Sequence, residues 1–183
     1  MFLEVVTRYL VGREAELARN VESLKRQTDG DYKQTFIVDE VGRGIPEANH
    51  SLSLAAPYLK GDYIWVLDDD DYCVHDTLVA EMKRLACMFN PDLFMLKCQH
   101  GKYGVLPHSW QSRPTLRHIG MPCFAVRNSV FKRHANSFPN AIEGDFAFID
   151  SIFSVEDYTV YWLDKIASCA PVKGNGHAIS SSV

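Results

Sequence analysis

Four consecutive carboxylates, Asp68 to Asp71, stand at the end of the most apolar run in the chain, Tyr63-Ile64-Trp65-Val66-Leu67. Adjacent anions repel one another unless a cation sits among them or water screens them. A solvated acidic turn explains charge in a loop, but not why the charge crowds the mouth of the most buried strand. Alternate side chains of an extended segment point the same way, so Asp68 and Asp70 are placed to offer two oxygens to one hard divalent ion. Mg²⁺ or Mn²⁺ held by few carboxylates keeps open positions and also binds substrate phosphate. The chemistry to expect is metal-assisted work on a phosphate-bearing substrate.

The elements that must position these groups alternate between strand and helix. Phe2 to Thr7 reads as a strand, and Leu17, Val21 and Leu24 recur at helical spacing before Asp29-Gly30-Asp31 ends the helix. Thr35 to Val38 is a second strand, which stops at Asp39 and Glu40. Pro46 opens a further helix whose expected buried face is Leu52, Leu54, Ala55 and Leu59. The strand before the aspartates is apolar on both faces, as in a sheet covered on both sides. Leu78 to Phe89 is helical, Asn90-Pro91 stops it, and Leu93 to Cys98 is another strand. Farther on, Pro122 to Val126 and Thr159 to Leu163 read as strands around a helix from Asp145 to Phe153. Strand-helix units in series predict an α/β fold with an open, mostly parallel sheet flanked by helices, whose site lies beyond the carboxyl ends of the strands.

Composition narrows the function classes. At 183 residues and 46% hydrophobic content the chain is expected to fold as one domain. A net charge of −4 argues against a nucleic-acid backbone as partner. No apolar run reaches the length of a membrane span, and the first residues become charged too early for a secretory signal, so a soluble cytoplasmic protein is expected. Five cysteines at least ten residues apart fit neither a disulfide framework nor a CxxC zinc site.

The segment GDYIWVLDDDDY resembles the aspartate-rich DxD segment of family 2 glycosyltransferases with the GT-A (Rossmann-like) fold. VVTRYLVGREAELARNVESLKRQT is similar to that family's first strand and helix, FIVDE to its second strand, and IGMPCFAVRNSVF and GDFAFIDSI to its acceptor-side half. Their order and spacing cover roughly residues 2–170. The resemblance implies metal-dependent transfer of one sugar, with inversion, from a UDP- or GDP-linked donor to a glycan or other hydroxyl acceptor. It implies a nucleotide-sugar-binding half over 1–98, an acceptor-side half over 99–172 and a flexible tail over 173–183.

For site residues, the resemblance places Thr7 and Asp39 against the nucleoside, and Asp68 near the ribose and metal. Asp70 would bind the metal, with Asp71 as a second ligand and Asp69 beside the substrate. The general base of an inverting transfer falls in the segment 142–146, on Asp145 with Glu143 behind it; the bland alternative is that Asp145 only caps the helix that follows. Ala48-Asn49 replaces the family's usual Arg-Asn, so Arg8, Arg13 or Arg43 must take over a diphosphate contact, with Asn49 retained. Glu40-Val41-Gly42-Arg43-Gly44 replaces the usual turn after the second strand, which leaves the base open. His177 matches a late metal-binding His by position only. His100, His108 and His118, with Trp110 and Tyr103, have a composition suited to stacking on a sugar ring. Two other readings stand beside this one. A haloacid-dehalogenase-type phosphatase would use Asp68 as nucleophile, although its motif normally lies on the first strand. A non-catalytic nucleotide-sugar-binding domain would keep the fold without turnover.

Overall fold

The structure, a computed structural model, describes residues 1–138, 143–155 and 157–171. The first half builds β1 (Leu3–Leu10), α1 (Glu14–Lys25), β2 (Tyr32–Asp39), α2 (Ile45–Ala55) and β3 (Tyr63–Val66). Then come β4 (Tyr72–Cys73), α3 (Leu78–Phe89), β5 (Leu93–His100) and β6 (Gly104–Leu106). The remainder supplies β7 (Phe124–Arg127), α4 (Asn128–His134), α5 (Gly144–Phe153) and β8 (Val160–Ala170). All the strands join one sheet in the order β2-β1-β3-β7-β5-β8-β4, with β6 on β5. Strands β1, β2, β3, β5 and β8 run one way, and β4, β6 and β7 run against them.

Two apolar layers cover the sheet, which explains the unbroken hydrophobic run in β3. Ile64 and Val66 face a layer with Leu52, Phe124 and Phe148, while Trp65 and Leu67 face one with Leu24, Leu78 and Met82. Each is at most 2% exposed, so every position of the run is buried by one layer or the other. α5 is anchored by Phe148, whose ring stacks on Phe138 at 4.2 Å and meets Phe131 at 5.1 Å. That anchor fixes the first turn of α5, which carries Asp145.

Several elements differ from expectation. Leu54 is 60% exposed, because the inner face of α2 is built on Asn49 and Leu52. In α1 the fully buried positions are Asn20, Ser23 and Leu24, two of them polar, whereas Leu17 and Val21 are half-buried. β8 is far longer than the expected Thr159–Leu163 segment and keeps pace with β5 through register shifts around Lys97. The short strand β4 and the helix α4 lack a sequence signal long enough to be read.

Candidate active site

Because β1, β2, β3, β5 and β8 share a direction, their carboxyl ends meet at one edge of the sheet. Arg8 to Leu10, Asp39, the acidic run, His100 and Ala170 therefore gather there, joined by Gly120 to Pro122 from the turn before β7. Two cavities open at this edge and share Arg8, Asp68 and Asp70. The smaller, about 120 Å³, is lined by Tyr9, Leu10, Arg13, Asp39, Gly42 and Asp69 as well. The larger, about 240 Å³, adds Asn49, Asp71, His100, Pro122 and Asp145. A third, about 200 Å³, lies between β2 and α2 and reaches Arg8, Asp39 and Arg43.

The acidic run is a moulded turn. The side chain of Asn20, fully buried on α1, donates to the carbonyls of Asp68 at 2.8 Å and Asp71 at 3.0 Å, and accepts from Gln34 at 2.6 Å. Arg19 donates to the Asp70 carbonyl at 2.7 Å. With these carbonyls drawn toward α1, carboxylates of the run line the cavities. This polar clamp is unreadable from sequence, where Asn20 falls between the apolar positions of an amphipathic helix.

Each aspartate has a different environment. Asp68 is held at both oxygens by Arg8, Nε to Oδ1 at 2.6 Å and Nη2 to Oδ2 at 2.6 Å. Asp69 is buried and accepts from the Leu10 amide at 2.8 Å and from Arg13 at 3.1 Å. Asp70 lies 3.6 Å from Arg13; burial, together with the charges of Asp68 and Asp69, pushes its carboxyl up to about 7. Asp71 is buried and raised well above the usual carboxylate range by that burial and by Asp68 and Asp70. The Arg8 pairing occupies one acceptor site on each Asp68 oxygen and fixes the carboxylate in place.

Hard oxygen donors whose negative charge is poorly compensated suit a hard divalent cation, and Asp70 and Asp71 are the two that fit. Among the described residues no group of three or more His, Cys, Asp or Glu is gathered to hold a metal ion, so a substrate oxygen or water would have to complete the shell. His177 lies outside the described residues.

Asp145 stands in the first turn of α5 and lines the larger cavity with Asp68, Asp70 and Asp71. Burial raises its carboxyl to about 6, against the Phe146 amide, which donates to it at 2.7 Å, and the positive charge of Arg8. Its neighbour Gly144 packs so closely on Asn49 that a Cβ there would lie 2.4 Å from the amide nitrogen. Asn49 in turn accepts from Arg8 Nη1 at 2.7 Å. A continuous path of touching groups thus runs from α5 through Asn49 and Arg8 to Asp68.

Thr7 and Glu143, also expected at the site, sit apart from these cavities. Thr7 is fully buried, accepts from Gln34 at 2.8 Å and lines neither cavity, since the alternation along β1 turns Arg8 outward instead. Glu143 pairs with Arg117 at 3.2 Å and does not line the Asp145 cavity. Asp39 lines the smaller cavity, but its oxygens accept from the backbone N–H groups of Val41, Gly42 and Arg43 at 2.9–3.0 Å. Those bonds hold its carboxyl below the usual value although burial works the other way. The same bonds shape the loop that walls the cavity. Trp110 packs edge-on against Trp162 at 5.1 Å with Lys97 over its ring. His108 and His118 bond to each other.

The fold is that of GT-A glycosyltransferases. S. aureus TarS 1–349 superposes with a TM-score of 0.73 at 14% identity, covering 93% of this chain and 60% of that one. The same TarS fragment in complex with UDP-GlcNAc gives 0.68 at 17% identity over 100% of this chain and 62% of that one. The mannosyltransferase PcManGT from Pyrobaculum calidifontis, in complex with GDP-Man and Mn²⁺, gives 0.62 at 10% identity, covering 94% and 58%. The chain thus spans about 60% of the length of the TarS fragment it matches. No protein-family model matches the sequence, and no curated protein does. Among the described residues no helix is long and apolar enough to cross a membrane.

Proposed function

We propose that this protein is a glycosyltransferase that moves one sugar from a nucleoside-diphosphate sugar, UDP- or GDP-linked, to an acceptor hydroxyl with inversion. The observation that carries the reading is the shared cavity: Asp145 faces the same space as Asp70 and Asp71, at the carboxyl edge of a GT-A sheet. The smaller cavity would take the nucleoside, walled by the loop that Asp39 holds. Arg13 lines that cavity beside Asp70, where its guanidinium can bind the diphosphate in a way that the methyl group of Ala48 cannot.

Asp70 and Asp71 would hold Mg²⁺ or Mn²⁺, which when bound supplies neutralisation of the charge developing on the leaving diphosphate. Asp145 takes the proton of the acceptor hydroxyl as its oxygen bonds to the anomeric carbon. The bond from that carbon to the diphosphate oxygen breaks on the opposite face, and the nucleoside diphosphate leaves with the electron pair. A carboxyl raised to about 6 suits Asp145 to this work, since it is ionised at neutral pH yet more basic than an exposed carboxylate. Asp68 and Arg8 are the fixed frame between the two cavities.

The test is a thermal-shift panel of UDP, GDP, UDP-GlcNAc and GDP-Man with and without Mn²⁺. A ligand that binds only the folded state raises the melting temperature. A metal-dependent rise with at least one nucleotide is expected, and no rise with any of them would refute the reading.

A further inference from the structure

The polar lining of the larger cavity consists mostly of carboxylates, and Arg8 is engaged with Asp68 and Asn49. His100 differs in kind. It is the last residue of β5, set between Gly104 of β6 and Ala170 of β8. Its Nδ1 accepts two backbone N–H groups of the turn that follows, Lys102 at 3.1 Å and Tyr103 at 3.3 Å. A nitrogen that accepts cannot carry the ring proton, so the neutral ring must be protonated on Nε2. The Tyr103 ring lies against the imidazole at 4.8 Å. No described residue accepts from Nε2. Burial, and to a lesser degree Lys102, hold the imidazole below its ordinary value, which favours the neutral form at physiological pH.

We infer that His100 donates a hydrogen bond from Nε2–H to a hydroxyl oxygen of the sugar being transferred, and so helps to select that sugar. The inference rests on the donor-site reading. A sugar hydroxyl both gives and takes hydrogen bonds. The cavity's carboxylates can accept its proton, but its lone pairs need an N–H, and a neutral one does not compete with a metal for Asp70 and Asp71. Recognition here is through the ring edge, while the Tyr103 ring packs on one face of the imidazole.

Calorimetric titration of UDP, UDP-GlcNAc, GDP and GDP-Man in Mn²⁺, on wild type, His100→Ala and His100→Gln, tests the assignment. His100→Ala should weaken the nucleotide sugar about two- to tenfold, the range of one neutral hydrogen bond, and leave the free nucleoside diphosphate unchanged. His100→Gln, which keeps an N–H of similar reach, should recover part of the loss. Unchanged affinity for the nucleotide sugar, or an equal loss for both ligands, overturns the role of His100. Wild type that binds none of the four overturns the donor site itself, a result distinct from either.

Discussion

Arg8 and Asp68, sixty residues apart, form a two-point pair in which Nε and Nη2 each lie 2.6 Å from a different carboxylate oxygen. Both side chains are largely withdrawn from solvent, at 15% and 26% exposure. Removing the guanidinium strands Asp68 beside three further aspartates. Arg8→Ala should therefore lower unfolding free energy by about 1–3 kcal/mol, less than for a fully buried pair because solvent still reaches it. For a chain of this size that is about 2–4 °C in melting temperature per kcal/mol. The double variant Arg8→Ala/Asp68→Asn should regain much of the loss, which denaturant titration reads directly. Additive losses in the double variant would show that the pair is not coupled.

Asp145→Asn should lower the transfer rate about 10²- to 10⁴-fold and barely alter donor affinity, because a base that acts only in the transition state contributes little to ground-state binding. In wild type the base must be ionised. With its carboxyl near 6, the rate should rise with pH through about 6 and level off above, and that limb should vanish from the residual activity of the variant. A folded variant with near-normal turnover would leave Asp145 only its place in the first turn of α5, where it accepts from the Phe146 amide.

What the sequence disclosed follows from how local each signal is. β3 and its acidic end are legible because an apolar run covered on both faces and the four charges after it are contiguous. Asp145 is legible as the start of a helix. The Arg8–Asp68 pair is not, since a strand residue carries no mark of a partner sixty positions on. Neither is the clamp by Asn20, because a polar residue buried against backbone carbonyls looks the same in sequence as one facing water. Thr7 and Arg8 are adjacent in a strand, so which of them meets the cavity depends on register across the sheet. Leu54 departs from expectation for a related reason: it belongs to a helix whose inner face is turned to Asn49, on which Gly144 packs closely.

Asp39 gives a graded prediction. Its carboxylate gathers three backbone N–H groups of the loop 41–43, so Asp39→Ala should loosen that wall and weaken nucleoside diphosphate binding about tenfold. Tenfold is about 1.4 kcal/mol, close to the lower end for a single hydrogen bond to a charged group. Asp39→Asn, which retains one carbonyl acceptor, should fall between. Isothermal titration with UDP and GDP distinguishes the three proteins, and equal affinities would place the nucleoside elsewhere.

The most direct check on the donor site is the Mn²⁺ dependence of nucleotide-sugar affinity in wild type and in Asp70→Asn/Asp71→Asn. These two carboxylates carry the least compensated charge in the cavity, so their neutralisation should spare the fold and raise the melting temperature in chelator. Wild type should bind UDP-GlcNAc or GDP-Man at least tenfold more tightly with Mn²⁺ than with chelator, and the double variant should lose that difference. Equal metal dependence in the two proteins, or no metal dependence in wild type, would contradict a metal-assisted donor site at Asp70 and Asp71.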